Sequence, residues 1–290
     1  MSAILKSKLK VALIQLAGSA PDKNANLTRA ATFVAKAMKE QPDTKLVVLP
    51  ECFNSPYAVD KFREYAEVIT PEAPSVKALS EIARQWKIIL VGGSIPELEP
   101  TSDKLYNTSI IFNEKGELIG THRKAHLFDV DIPNGITFKE STTLSAGNKN
   151  TLIDEPSIGK FGVGICYDLR FPELAMVNAR KGAFAMIYPS AFNTVTGPMH
   201  WHLLARSRSI DNEIYTLLCS PARNLNSSYH AYGHSLVVNP KGEVIAEAGE
   251  GEEIIYAELD PEFIKEVRQA IPVTFQRRFD IYGDVSKFEV

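Results

Sequence analysis

A chain of 290 residues with 44% hydrophobic and 23% charged side chains has ordinary globular composition and enough apolar mass for a sizeable core. Its formal net charge of −3 leaves no basic footprint for nucleic acid or acidic membranes, and no apolar run approaches the roughly 20 residues of a membrane helix. Three cysteines, Cys52, Cys166 and Cys219, are odd in number and far apart, which argues against a disulfide framework and for a reducing setting.

The first stretch, MSAILKSKLK, is basic and slightly amphipathic but lacks the apolar core and cleavage site of a secretory signal. Cytoplasm is the expected location, with a mitochondrial address open. KVALIQLA predicts a buried strand, and NANLTRAATFVAKAMKEQ a helix behind an Asn cap. KLVVLPE is a second buried strand, ended by Pro50; helical stretches follow near 62–68 and 76–86. KIILVGGSIPE reads as one strand and YNTSIIFNEKGELIGTHRK as a hairpin turning at 114–116. Residues 125–150 have little periodicity, which at that length suggests a functional loop. The second half starts again with a strand, FGVGICYD, and a helix, FPELAMVNARKG, with Pro172 near its start and Gly182 past its end. AFAMIYPSA (strand), GPMHWHLLARSRSIDN (helix), EIYTLLCSP (strand), GHSLVVNPKGEVIAEAG (hairpin), EEIIYAELD (strand) and PEFIKEVRQAI (helix) complete the series.

The halves echo each other. SIIFNEKGELI (109–119) and SLVVNPKGEVI (235–245) share Ser, Asn, Lys, Gly, Glu and the final Ile, and LVVLPE resembles AMIYPS. Two ordinary hairpins with the same turn chemistry would explain this; so would an internal pseudo-twofold. Strands apolar on both faces fit sheets covered on both sides. The expected fold is therefore α/β, a four-layer αββα sandwich with pseudo-twofold symmetry, in a single domain over 1–290.

Cys166 ends the apolar run FGVGIC, and Tyr-Asp-Leu-Arg follows at once. It is either a core residue or a nucleophile at a strand end. A thiol with an ordinary pKa of about 8.5 is mostly protonated at neutral pH, so catalysis would require a base or a thiolate-stabilising environment, and donors for an oxyanion. Glu51 follows LVVLP, where Pro50 forces the chain out of regular pairing. A partly desolvated carboxylate there suits proton transfer; a helix-capping or salt-bridged surface glutamate is the alternative. Lys124, in THRKAH, is either a fixed charge beside a reacting carbonyl or a solvated strand-end lysine. Glu140, inside the long loop, is a weaker signal by itself. Cys52 is expected to point away from any site that Glu51 faces, and Cys219 reads as a core thiol. His200 and His202 are two apart in a helix and diverge; His230 and His234 flank a loop glycine. Without an HExxH or CxxC spacing, neither a metal site nor a Cys–His pair is favoured.

Taken together, LVVLPECF, HRKAHLF and GVGICYDLRFPE, in that order, resemble the nitrilase superfamily. The likeness runs on through YPSAFN, HWHLLARSRSIDN, SPARN, GHSLVVNPKGEV and RRFDIY, and is greatest to the omega-amidase branch. The resemblance implies an αββα enzyme with a Glu-Lys-Cys triad that releases ammonia from 2-oxo acid monoamides such as 2-oxoglutaramate and 2-oxosuccinamate. Cys166 matches the nucleophile and Glu51 the base. Lys124, with the backbone N–H of Tyr167, matches the oxyanion stabiliser, and Glu140 a second carboxylate beside the triad. The intermediate is a thioester, and neither a metal nor an organic cofactor is implied. A substrate carboxylate wants a bidentate arginine. Arg170 fits that role, with Thr196 assisting and Tyr57 lining the pocket, unless Arg170 is a structural partner of Asp168 or Glu173. Arg206, Arg208 and Arg223 read as structural. Deaminated glutathione or an N-carbamoyl amino acid as substrate, or a non-catalytic interaction protein on this scaffold, are the alternatives. The resemblance also implies a homodimer, which the tail QRRFDIYGDV could reach across; otherwise the tail packs on its own domain.

Overall fold

A computed structural model describes residues 5–17, 20–133 and 137–287; the first four residues of the basic stretch behind the targeting expectation lie outside them. The apolar runs of the first half become β1 (Leu9–Gln15), β2 (Leu46–Val48) and β3 (Ile89–Val91), parallel neighbours buried along almost their whole length. Helix α1 (Lys23–Glu40), a single turn α2 (Phe62–Tyr65) and α3 (Pro74–Trp86) lie between them. The α1 cap is Asp22 rather than an asparagine, its carboxylate accepting the Ala25 N–H at 3.1 Å. Asn26 is instead drawn back onto the Ala20 backbone, both as donor and as acceptor.

KIILVGGSIPE is two strands rather than one. β3 stops at Val91, Gly93 turns the chain at φ 62°, and β4 (Ile95–Glu99) resumes. Both pair antiparallel with β5 (Lys104–Phe112), which also pairs with β6 (Leu118–Arg123). The stretch 125–150 contains a small ribbon of β7 (Asp129–Asp131) and β8 (Thr137–Lys139). The second half supplies β9 (Thr151–Glu155), β10 (Gly159–Val163), α4 (Pro172–Arg180), β11 (Ala183–Pro189), α5 (Thr196–Asn212), β12 (Tyr215–Cys219), β13 (Leu236–Val238) and β14 (Val244–Glu247). β15 (Glu253–Leu259) is followed by α6 (Pro261–Ala270), α7 (Val273–Gln276) and α8 (Phe279–Tyr282).

The two sheets have matching topologies. One runs β15-β1-β2-β3-β5-β6, with β4 added on β5; the other runs β9-β10-β11-β12-β13-β14. In each, an antiparallel edge strand precedes two parallel pairings, and two antiparallel pairings follow. The echoing hairpins are β5–β6 and β13–β14, in equivalent places. The last strand of each half crosses over: β9, reached from β6 through the β7–β8 ribbon, joins β10, and β15 follows β14 yet joins β1.

Three apolar clusters show the layering. Strand residues alternate between faces, so Val11, Leu13, Val48 and Val91 meet Phe161, Ile187, Leu217 and Val237 between the sheets. Ala12, Ile14, Val47 and Leu90 turn the other way, onto Leu27 and Val34 of α1 and Leu79 and Ile82 of α3. Met186, Tyr188 and Leu218 pack on Ala175 and Ala179 of α4 and Trp201 and Ala205 of α5. Cys219 is a fully buried core thiol between the sheets; its Sγ contacts the Ile14 and Val48 carbonyls at 3.5 and 3.3 Å. The parallel strands β2 and β10 both end toward the site, which is where α/β sheets place their ligands.

Candidate active site

β2 ends beside Leu49, whose N–H still reaches the Val91 carbonyl at 3.0 Å. Pro50 then offers no donor, and Glu51 lies in a turn at 1% exposure. Lys124 extends β6 by one step, its N–H on the Asn107 carbonyl at 2.8 Å. Its Nζ, fully buried, sits 3.0 Å from Glu51 Oε1 and 2.9 Å from Glu140 Oε1. Glu140 opens a 3-10 turn (Glu140–Thr142). Its Oε2 accepts the Phe128 N–H at 2.7 Å, and its Oε1 also accepts the Tyr57 hydroxyl at 2.8 Å. Cys166 follows β10, and after burial Glu51 and Lys124 are the charges that act most on its thiol. Glu51, Lys124, Glu140, Cys166 and Tyr57 thus gather at one place, from both halves of the chain.

Cys166 begins the turn Cys166–Arg170 at φ 45°, a left-handed conformation uncommon for a side-chain-bearing residue. Asp168 fastens this turn. Its Oδ2 accepts the Ile165 N–H and His122 Nε2, each at 2.9 Å. Its Oδ1 accepts the His126 N–H at 2.9 Å and His126 Nδ1 at 2.8 Å. His122 lies in β6 and His126 in the bend just after it, and both grip Asp168, while Lys124 between them enters the acid pair. Burial would raise the Asp168 pKa, but the bonds from His122 and His126 outweigh it and hold the carboxyl well below the usual range. The signal for this clamp was present as HRKAH facing CYD, but Asp168 alone reads as a partner for Arg170.

Charge balance sets the resting state. Burial raises Glu51 above an ordinary carboxyl; Lys124 opposes this and Glu140 adds to it. Burial would lower Lys124, but Glu140 and Glu51 keep its ammonium far above the usual lysine value. Burial and then Glu51 push the Cys166 thiol well up, against Lys124 and the Ala191 backbone. The sulfur therefore rests as a thiol and needs a base.

A cavity of about 60 Å³ opens over Glu51, between Tyr57, Ala191, Pro221 and Tyr229. Cys52 lines it too, contrary to the expectation that it would point away. That expectation rested on strand alternation, and Cys52 is already in a left-handed turn at φ 49°. Tyr229, not singled out by the sequence, packs at a tilt on Tyr57 with ring centroids 4.4 Å apart and donates its hydroxyl to the Ala191 carbonyl. Phe138 of β8 closes the group, 5.8 Å from Tyr57. Tyr167 is half-buried against Phe128, at 5.3 Å.

Arg170 and Thr196 do not line that cavity. The Arg170 guanidinium spans the rings of Phe192 and Tyr167, at 5.0 and 5.5 Å, and its Nη1 meets His200 Nδ1 at 3.1 Å. Among the described residues neither Asp168 nor Glu173 pairs with it, and its Nε is buried without a partner. Thr196 opens α5, its hydroxyl and N–H on Asn193 Oδ1 at 3.1 and 2.8 Å. Arg208 donates to the Leu169 and Arg170 carbonyls, Arg206 to that of Gly242, and Arg223 pairs with Glu250. His202 and His234 share Glu247. Among the described residues no group of three or more His, Cys, Asp or Glu is arranged to hold a metal ion.

A mixed α/β fold with a buried acid–ammonium–acid cluster and a thiol at the ends of its parallel strands has the make-up of a hydrolase. The chain belongs to the carbon-nitrogen hydrolase family, of the nitrilase superfamily, whose model matches residues 10–269, and it is a hydrolase of amide carbon–nitrogen bonds. It is 73% identical over 287 residues, 98% of each chain, to omega-amidase NIT3 of Saccharomyces cerevisiae. To omega-amidase NIT2 of Homo sapiens it is 49% identical, over 96% of this chain and 98% of that one. The crystal structure of Saccharomyces cerevisiae Nit3, a member of branch 10 of the nitrilase superfamily, matches it at 70% identity and a TM-score of 0.90, covering 96% of this chain and 99% of the other.

Proposed function

We propose that the chain is an omega-amidase. It hydrolyses the terminal amide of small 2-oxo dicarboxylic acid monoamides, such as 2-oxoglutaramate and 2-oxosuccinamate, to the 2-oxo diacid and ammonia. The observation that carries this reading is the 73% identity to an omega-amidase over nearly the whole of both chains. The meeting of Glu51, Lys124 and Cys166 supports it.

Glu51 takes the thiol proton as sulfur bonds to the amide carbon. The oxyanion forms against Lys124 and the Tyr167 N–H, whose charge and dipole count for most in a water-poor site. When the oxyanion collapses, the carbon–nitrogen bond breaks and Glu51 passes its proton to the departing nitrogen, which leaves as ammonia. A thioester to Cys166 remains. Glu51 then deprotonates a water, oriented with help from Glu140; the hydroxide displaces sulfur, which recovers the proton. Tyr57 lines the site; Arg170 and Thr196 stand outside the cavity over Glu51, the first held against the Phe192 and Tyr167 rings and the second on Asn193, so the substrate carboxylate is not assigned to them.

The working unit is a homodimer. Met199, Leu203 and Ile210 stand exposed along α5, and Phe275, Phe279 and Ile281 continue the apolar face on the last helices. An apolar surface of this extent calls for a covering partner, here a second copy. The proposed location is the cytoplasm, with mitochondria possible in addition: no disulfide joins the three cysteines, which suits a reducing compartment.

The test is ammonia release from 2-oxoglutaramate, 2-oxosuccinamate, deaminated glutathione and an N-carbamoyl amino acid. The first two are turned over, and Cys166→Ala abolishes it. Faster release from either of the others would replace the substrate assignment; activity surviving in Cys166→Ala would remove the mechanism.

A further inference from the structure

Asn107 stands on β5 directly across from Lys124. The ladder pairs Thr108 with Arg123, and one step on the Asn107 carbonyl accepts the Lys124 N–H at 2.8 Å. Directly opposed residues send their side chains to the same face, so Asn107 faces the cluster that Lys124 enters. It is 1% exposed, and its Nδ2 donates to Glu51 Oε1 at 2.8 Å. That same oxygen takes Lys124 Nζ at 3.0 Å. Glu51 Oε2 is buried and, among the described residues, has no completed hydrogen bond. Both strong donors therefore lie on one oxygen, and the other carries none.

We infer that Asn107 is a positioning residue for the base: with Lys124 it occupies Glu51 Oε1, so that Oε2 is the atom that receives the Cys166 proton. The inference rests on the proposed role of Glu51. Two donors on one oxygen fix the carboxylate's rotation. The amide also favours the ionised form against the pull of burial, since a hydrogen bond to a carboxylate lowers its pKa. The titratable groups around Glu51 are Lys124, Glu140 and Cys166, with Cys52, Tyr57 and Tyr229 at the same site. Asn107 carries no charge, so its replacement by an apolar residue removes one donor and alters none of those groups. The register that brings Asn107 opposite Lys124 also ties the base to the ammonium through one residue.

Asn107→Leu keeps the branched outline, with bulkier methyl groups, and removes the donor; Asn107→Ala is the smaller, second variant. The measurements are the pH profile of kcat/KM for ammonia release from 2-oxoglutaramate and the pH profile of Cys166 alkylation by iodoacetamide, located by mass. The acid limb of kcat/KM reports the base of the unliganded enzyme. Losing a hydrogen bond to the charged form should move both limbs up by about one pH unit, with kcat down roughly tenfold and KM changed less than about twofold. A folded variant with an unmoved acid limb, or with a raised KM and unchanged kcat, would overturn the inference. If Asn107→Leu does not fold, Asn107→Ala decides, and the alkylation profile reads the thiol without turnover. Glu51→Gln separates the two readings. If it retains turnover, the role of Glu51 fails; if it is silent while the Asn107 variants keep the parent limb, only Asn107 is misassigned.

Discussion

Asp168 shows how much one buried carboxylate can fix. It holds the turn that starts at Cys166 and both histidines that flank Lys124, so the proposed nucleophile and the ammonium share one strut. Asparagine there keeps the shape but presents a donor where an acceptor stood, leaving buried N–H groups unpaired. Asp168→Asn should cost about 3 kcal/mol of stability at neutral pH, read by denaturant unfolding, and should lower kcat, since the left-handed Cys166 is no longer held. The sign of the pH dependence follows. The folded pKa is depressed, so the stabilisation is present above the unfolded value and is lost as pH falls through the folded one. The gap between variant and parent should therefore narrow only below about pH 4. Glu140 acts differently. It is one of two anions on Lys124, and Glu140→Gln leaves a single counter-charge. Turnover of 2-oxoglutaramate should fall by roughly a hundredfold while the fold persists.

At the scale of elements, the bend between β3 and β4 reaches into the site. Gly93 has φ 62°, and a Cβ added there would stand 2.2 Å from the Pro50 carbonyl, one residue before Glu51. Gly93→Ala should lower stability by about 1–3 kcal/mol and reduce kcat, because relief of that contact displaces the turn carrying the proposed base relative to β4; thermal unfolding and turnover of the purified variant check both. VGGS read as continuous strand in the sequence because apolar runs on either side hid the break. Strand ends were easier: LVVLPE and FGVGIC each finish in an ionisable side chain, and those two, with HRK, carried the resemblance that marked Glu51, Cys166 and Lys124. Asn107 and Tyr229 were not legible, and the Asp168 clamp was written only as HRKAH and CYD, with nothing in the sequence to join them. Each acts through a neighbour distant in the chain, and YNTS has no meaning for Glu51 until β5 and β6 are in register. Cys52 misled for the opposite reason, since alternation was carried past the end of its strand.

At the scale of the molecule, the halves are bound by the strands they trade. β15 pairs with all seven residues of β1, from Leu9 opposite Leu259 to Gln15 opposite Glu253, and β9 does the same service for β10. Neither half keeps a complete sheet without the other, so the proposed single domain should unfold in one transition, with tryptophan fluorescence and circular dichroism coincident. The traded strands leave the α4–α5 layer outermost on its side, and the apolar face there is the one the proposed dimer covers. Leu203 is 62% exposed on α5, so within the monomer an aspartate at this position meets mostly water and should change stability by less than about 0.5 kcal/mol. In a dimer joined through this face, the same aspartate would be buried without a partner and should weaken association at least tenfold. Sedimentation of Leu203→Asp beside the parent decides the matter. A folded monomer places the contact on α5; an unchanged dimer puts it elsewhere, and a parent that is itself monomeric removes the dimer from the proposal.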